Sequence, residues 1–454
     1  MKKQIGILLL AGIVTTISLQ AQNLSLSLSQ AKSQAVSNNL SIKNAQLAVL
    51  AAQKNVQSTI AKGLPQAEAS FDYSHFFNYE MNLSFGSSGG EATIDYTKLD
   101  VGDLEILKML ESSMGSPEPI VMKGSMSSKI QVSQILFSGQ YWVGIQMAKL
   151  AQLMNEQNVE KTRSDIEESV SNVYFGILVL EESLGVLGTT IQNLQETQTR
   201  TAAMVRAGMA ESTDTSKLKM AVNNLINNKK QLERTVSFNY SMLKFLLGVS
   251  QQSTITLTEP ISAFVDESNI AGLLLKPFSV EQVDDYKLLE SQEMLAQKSI
   301  TLEKMSFAPT AVAFYNYNYK IISTDFDMNP DHIAGVSVKI PLLSSGSRSL
   351  KVQEAKIKYE QAQNTKSLVA QQLQIKEKQA RYDVASAYEN YLLQKENIAL
   401  SLQIYDKIRQ KYEYGVASSF ELTQANNDYL QAQSNYLNAY MQLLQAKTAL
   451  EKLL

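Results

Sequence analysis

Residues 347–413 read SRSLKVQEAKIKYEQAQNTKSLVAQQLQIKEKQARYDVASAYENYLLQKENIALSLQIYDKIRQKYE, with no glycine and no proline. Proline costs about 3 kcal/mol inside a helix and glycine about 1 kcal/mol, so nothing in this stretch interrupts helical hydrogen bonding. At about 1.5 Å per residue, one helix over this stretch is about 100 Å long, far beyond the helices of ordinary globular domains. The eight prolines lie at 65, 117, 119, 260, 277, 309, 330 and 341, which leaves two proline-free tracts, 120–259 and 342–454. The first predicts a second long helix over about 140–207, despite Gly144, Gly176, Gly185 and Gly188.

Apolar spacing predicts how these helices pack. Leu422, Ala425, Tyr429, Ala432, Tyr436, Ala439, Leu443, Ala446, Leu450 and Leu453 alternate steps of three and four, a coiled-coil seam. Leu28, Ala31, Ala35, Ile42, Ala45, Val49, Ala52 and Val56 follow the same rule, broken at Asn38. An ordinary antiparallel helical bundle shares this local packing.

An offset of 207 residues lays Gly208 on Gly415, Asp214 on Glu421, Leu218 on Ala425 and Leu243 on Leu450. An offset of 206 lays VSQILFSGQ (132–140) on VKIPLLSSG (338–346), and one of 244 lays Pro65 on Pro309. The chain therefore reads as two copies of one unit: helix, strand, loop, strand, long helix, turn, return helix. The first repeat is 22–279, with a helix over 24–63, strands near 69–79 and 127–137 around a loop at 79–127, long helices near 140–207 and 214–247, and smaller elements at 249–279. The second is 280–454, with helices near 280–307, 347–413 and 419–454 and strands near 311–321 and 333–343. The fold class is mainly α with a small β part.

Each strand is about ten residues, the length that crosses an outer membrane at a tilt. Four strands cannot close a membrane barrel, and an open sheet edge is not viable in lipid. Two readings follow: a soluble sheet, or several copies sharing one barrel. Tyr141 and Trp142, just past a strand, read as interfacial aromatics or as plain packing.

Composition narrows the function. The 454 residues carry 41 Lys+Arg and 44 Asp+Glu, a formal net charge of -3 that argues against nucleic-acid binding. The absence of cysteine removes disulfides, thiolate chemistry and Cys-ligated metals, and His75 and His332 are the only histidines. No nucleophile elbow, phosphate-binding glycine loop or HExxH pattern occurs, so no enzymatic activity, cofactor or metal is expected. Met1 to Ala21 reads as a secretory signal peptide: Lys2 and Lys3, then an apolar run over Ile5 to Val14, then Ala21 at the cut.

The chain resembles the TolC-like outer-membrane efflux proteins over about 24–454. The resemblance rests on SLSQAKSQAVSNNLSIKNAQ (27–46), GLPQAEASFDY (63–73), QILFSGQ (134–140), IPLLSSG (340–346), VRAGMAESTD (205–214) and KYEYGVASSFELTQA (411–425). It implies a homotrimer whose protomers give four strands each to a shared 12-stranded β-barrel in the outer membrane, with an α-helical barrel crossing the periplasm. It implies a passive exit duct, completed by a periplasmic adaptor protein and an inner-membrane transporter, with the barrel set in outer-membrane lipid. It further implies a periplasmic gate involving Tyr412, Glu421 and Gln424. The family's gate turn often carries Arg two residues after the glycine and two acids three apart; here Ala417 and the pair Glu421 and Gln424 stand in those places.

The helix tips have two readings. Gly208, Met209, Asp214, Gly415 and Val416 are plain turns with acids at helix starts, or exposed tips that meet the adaptor. Asp214 and Glu421 either stabilise helix N-termini, worth about 0.3–1 kcal/mol, or line a ring of carboxylates favouring cations. The acidic loop 79–127, with eight acids against three bases, reads as extracellular. A periplasmic coiled-coil adaptor is the alternative function, and it needs no strand pairs. An autonomous porin needs many more strands.

Overall fold

The computed structural model describes residues 23–75, 77, 80–81, 98, 100–113, 120–121, 124–322 and 330–454. The expected signal peptide lies outside the described residues, as does much of the loop 79–127. The elements are β1 (Asn23–Leu26), α1 (Leu28–Asn38), α2 (Leu40–Ala61), β2 (Gln66–His75), β3 (Glu80–Met81), α3 (Val101–Ser113), β4 (Ile120–Val121), β5 (Gly124–Ser138), α4 (Gly139–Arg206), α5 (Ser212–Leu247), β6 (Thr254–Leu257), α6 (Glu267–Leu275), α7 (Asp284–Met305), β7 (Thr310–Ile322), β8 (His332–Lys339), α8 (Ser347–Glu413) and α9 (Ser419–Leu453). Two compact units result, 1–54 with 149–297 and 357–454, and 55–148 with 298–356. They do not follow the repeats, because each repeat gives helices to the first unit and a strand pair to the second.

The first unit is built around α1, α5, α8, α9 and the middle of α4. Val170, Tyr174, Ile177 and Leu178 of α4 meet Leu243 and Leu247 of α5, Val384 and Tyr391 of α8, and Tyr440, Leu443, Leu444 and Leu450 of α9. The buried face of α9 is wider than the expected seam: Gln433, Leu437, Tyr440 and Leu444 are buried beside Leu443 and Leu450. A helix that packs against more than one neighbour needs such a broad stripe.

Residues 24–26, expected as helix, form β1 instead, paired in parallel with β6. Glu259, just past β6, explains the fixed geometry there: its carboxylate accepts from the Leu28 backbone N–H at 2.7 Å and from the Tyr174 hydroxyl at 3.4 Å. The expected single helix is also broken at Asn39, which takes extended backbone. Its side chain donates to the Leu246 carbonyl and accepts from the Ser41 N–H, both at 2.8 Å. Gly248 makes room at this break, since a Cβ there would lie 2.5 Å from the Asn38 carbonyl oxygen. Arg381 of α8 ties α6 down by donating to the carbonyls of Leu274 and Lys276 while pairing with Glu377.

The second unit carries an antiparallel sheet in the order β2-β5-β7-β8. Its register sorts side chains by chemistry. One face holds Ala67, Ala69, Phe71 and Tyr73 of β2, Ile130 and Val132 of β5, Tyr315, Tyr317 and Tyr319 of β7, and Ala334, Val336 and Val338 of β8. The other holds Gln66, Glu68, Ser70 and Asp72, then Lys129, Gln131 and Ser133, then Asn316, Asn318 and Lys320, then Ser337 and Lys339. The polar face also carries the apolar residues Ile135, Val312, Phe314 and Ile333, and the Phe314 ring lies over Gly335. The apolar face is exposed, with Phe71 at 75% and Val336 at 60%. β8 stops at Lys339, short of the expected 343, because Pro341 lacks an N–H and the chain then turns through left-handed Ser345 and Gly346.

Leu443 is fully buried where α4, α5 and α9 meet. Leu443→Ala is expected to cost about 2–5 kcal/mol and to lower the midpoint of thermal unfolding in detergent.

Candidate functional site

The two hairpin tips of the first unit are built alike. Gly208 and Gly415 have φ of +76° and +70°, the left-handed region that favours glycine. At the first tip the Met209 N–H reaches the Met204 carbonyl at 2.8 Å and the Gly208 N–H reaches Val205 at 3.0 Å. At the second, Val416 reaches Lys411 at 2.8 Å and Gly415 reaches Tyr412 at 3.0 Å. Both are Schellman closures, which satisfy the last helix carbonyls and reverse the chain. The residues just past the glycines point outward, with Met209 74% and Val416 76% exposed.

Polar links join the α4–α5 hairpin to the α8–α9 hairpin just behind the tips. The buried Tyr412 hydroxyl lies 2.6 Å from the Thr201 hydroxyl. Burial pushes the Tyr412 phenol up, and the bond to Thr201 opposes that shift. Arg200 pairs with Glu413 at 3.2 Å. The Ser419 hydroxyl donates to the Asp214 carboxylate. The Tyr412 ring sits in an apolar cluster with Tyr405, Leu422 and Ala425. A buried neutral hydrogen bond contributes about 1 kcal/mol and an exposed ion pair about 0–1 kcal/mol. The tips are therefore held together by apolar packing plus a few weak, reversible links.

Glu421 has a definite local job. Its carboxylate accepts from the Ser418 N–H at 2.7 Å, while the Ser418 hydroxyl accepts from the Glu421 N–H at 3.2 Å, a capping box that opens α9. The Ser418 bonds hold the Glu421 carboxyl below its ordinary range. The cap is therefore complete above the ordinary carboxylate range and is lost only as pH falls through that depressed value. Gln424 donates to Asp428 at 2.7 Å, so the place of a second acid near Glu421 is one turn further on. Asp214 is drawn to Ser419, with Lys217 at 3.9 Å.

Tyr141 and Trp142 open α4 in the second unit. The Tyr141 hydroxyl donates to the Ile60 carbonyl at 2.9 Å, and Gly63 leaves room for its ring. Trp142 meets Tyr141 edge-on at 5.2 Å and is 57% exposed. Tyr141 is thus a packing residue by its contacts, and Trp142 is the outward aromatic. Among the described residues, no three His, Asp or Glu are grouped to hold a metal ion.

Sequence reading singled out Tyr412 for a gate and Asp214 for an adaptor-contact tip, not for links between hairpins, and passed over Thr201, Arg200, Glu413 and Ser419. Thr201 and Ser419 carry one signal, a hydroxyl on a buried helix face, but nothing in the sequence pairs them across two hundred residues.

Comparison with known proteins bears on the fold. The outer membrane efflux protein family matches residues 288–454, which lie within the second repeat. No curated protein sequence matches the chain. Among solved structures, CusC superposes with a TM-score of 0.71 at 15% identity, covering 96% of this chain and 94% of CusC. VceC, an outer membrane protein from Vibrio cholerae, gives 0.69 at 13% identity over 94% of this chain and 95% of its own. The MtrE outer membrane channel of Neisseria gonorrhoeae gives 0.67 at 16% identity over 96% and 92%. Residues 288–454 thus match the outer membrane efflux protein family, and the likeness of fold to these solved channels extends over nearly the whole chain.

If the Thr201–Tyr412 contact links the hairpins, Tyr412→Phe and Thr201→Val should each speed hydrogen exchange at 200–215 and 410–422. The double variant should exchange little faster than either single one. Fully additive effects would mean that the two hydroxyls act independently.

Proposed function

We propose that three copies of this chain form a passive exit duct through the outer membrane of a bacterial envelope. Each copy gives its four strands to a 12-stranded barrel, and the long helices continue the duct into the periplasm. The observation that carries this reading is the sorting of the sheet, with aromatic and aliphatic side chains on one face and Glu, Asp, Lys, Asn, Gln and Ser on the other. A barrel in lipid needs that alternation, apolar outward and polar toward a wet lumen. It also needs closure, which three copies provide by pairing the open edges. The exposed tips at Met209 and Val416 suit contact with a periplasmic adaptor, and an inner-membrane transporter would load the duct. Trp142 suits the lipid interface at the foot of the barrel.

The weak links behind the tips suit a periplasmic end that closes and reopens. Tyr412 holds one hairpin to the other, and Glu421 and Gln424 line the constriction when the α8–α9 hairpin turns inward. Three copies of Glu421 then lie within about one Debye length, 8 Å at physiological salt, which favours cations and invites divalent block.

Because Glu421 also caps α9, Glu421→Gln is the appropriate substitution, since it removes charge and keeps an acceptor. In planar bilayers the wild-type channel should be cation-selective and blocked by divalent ions. Glu421→Gln should reduce both properties, and Asp214→Asn should change them much less. The reverse pattern would place the α4–α5 hairpin at the constriction instead.

A further inference from the structure

A cavity of about 840 Å³ opens between α4, α8, α9 and residues 257–262 at the end of β6. Ligand pockets commonly enclose about 300–1,000 Å³. The cavity lies wholly within the helical unit of one chain, so it does not depend on the trimer. Tyr405 of its wall is two helical turns from Tyr412, which sets the cavity behind the links at the tips. Glu181, Glu182, Glu259 and Asp406 line it, and no Lys, Arg or His does. Two of these acids are already held: Glu181 accepts from the Tyr240 hydroxyl at 2.6 Å, and Glu259 accepts from Leu28 and Tyr174. Arg409, outside the lining, reaches Asp406 at 3.4 Å. Among the described residues Glu182 pairs with no cation.

Two other wall residues point to an occupant. Tyr405 is only 4% exposed, yet its hydroxyl has no hydrogen-bond partner among the described residues. Buried polar groups are nearly always paired, because leaving one unpaired is costly. The Tyr405 ring stacks on Tyr429 at 5.8 Å and 11°, which makes a flat aromatic wall. Burial, and after it the charges of Asp406 and Glu182, push the Tyr429 phenol up, so carboxylates from α8 and α4 both act on that wall. Gly185 is the second residue. Glycine weakens a helix interior, and close packing does not require it here, since a Cβ would meet nothing within 4 Å. What the missing side chain does is keep the cavity open.

We propose that this cavity binds a linear polyamine, an aliphatic chain that carries two or more ammonium groups. The sign of the lining selects a cation. The spread of its acids selects against a point charge, since no three acidic or His side chains among the described residues are grouped to hold a metal ion. Ammonium groups spaced along one chain match carboxylates spaced around one cavity. An ammonium over the face of Tyr429 gains a cation–π contact, and the Tyr405 hydroxyl accepts a hydrogen bond from it. The methylene segments lie along Leu178, Val186 and Leu402. Because α4 belongs to one hairpin and α8 and α9 to the other, an occupant ties the two hairpins together behind their tips.

The test is calorimetric titration of spermidine, a triamine, into the full-length protein in detergent at about 0.15 M salt, where surface attraction is screened beyond about 8 Å. Wild type should bind one spermidine per chain, and Mg²⁺ at equal charge should not displace it. Gly185→Leu should fill the cavity and abolish binding while keeping the helix content and the thermal midpoint. Glu182→Gln should weaken binding about tenfold and Tyr405→Phe about threefold. Glu160→Gln, which alters a 62% exposed acid elsewhere on α4, should bind as wild type does. If Gly185→Leu lowers the thermal midpoint, the contrast between Glu182→Gln and Glu160→Gln decides alone. No binding to wild type would refute the site. Equal weakening by Glu160→Gln, or displacement by Mg²⁺, would reduce it to general attraction to an acidic surface, and binding that survives both Gly185→Leu and Glu182→Gln would place spermidine elsewhere. The duct reading would stand in each of these cases.

Discussion

Everything else in the molecule follows from a sheet that is incomplete on its own. Among the described residues, β2-β5-β7-β8 has two open edges and an exposed apolar face that includes Phe71, Tyr73, Val336 and Val338. In water such a face is an aggregation hazard. In lipid the face is satisfied but the edges are not, since each unpaired backbone group there costs several kcal/mol. Pairing with further copies, as proposed, would resolve both, and the sorted register would make the resulting barrel wet inside and apolar outside. The strand sequences could not alternate this way by accident of composition, because the two parities of β2 differ at every position from Gln66 to Asp72.

The helical unit obeys a different economy. Its core is continuous and well packed around Tyr174, Leu243, Leu443 and Leu444, whereas the tips rest on a small apolar cluster and on Thr201–Tyr412, Arg200–Glu413 and Ser419–Asp214. Links worth about 1 kcal/mol each fix one arrangement without making it permanent. The proposed duct, if it stays shut until engaged, would require that balance between a rigid body and a weakly latched end. The duplicated Schellman turns give both hairpins the same reversal, and the residues that follow, Ser212 to Asp214 and Ser418 to Glu421, differ in use: Asp214 reaches across to the neighbouring hairpin and Glu421 caps its own helix.

Much of this was legible in the sequence, for identifiable reasons. The tract without Gly or Pro at 347–413 is α8, because nothing local competes with helix there. Gly208 and Gly415 could be read as helix stops because only glycine takes that backbone cheaply. The features that escaped depend on remote partners. Residues 24–26 are strand because 254–257 lie alongside, and the break at Asn39 exists because the Leu246 carbonyl and Gly248 await it. The early end of β8 could have been read from Pro341. The hairpin links could not, since Thr201 and Tyr412 meet only once two hairpins from different repeats have packed.

The central claim is that alternate residues of the sheet face lipid and water. Spin labels placed singly along β7 from Tyr315 to Lys320, in trimers reconstituted into bilayers, test it most directly. Accessibility to lipid-soluble oxygen should peak at 315, 317 and 319, and accessibility to a water-soluble nickel chelate should peak at 316, 318 and 320, two period-two waves in opposite phase. Equal access of the chelate to both parities would mean a sheet standing in water, and the duct through the outer membrane would have to be abandoned.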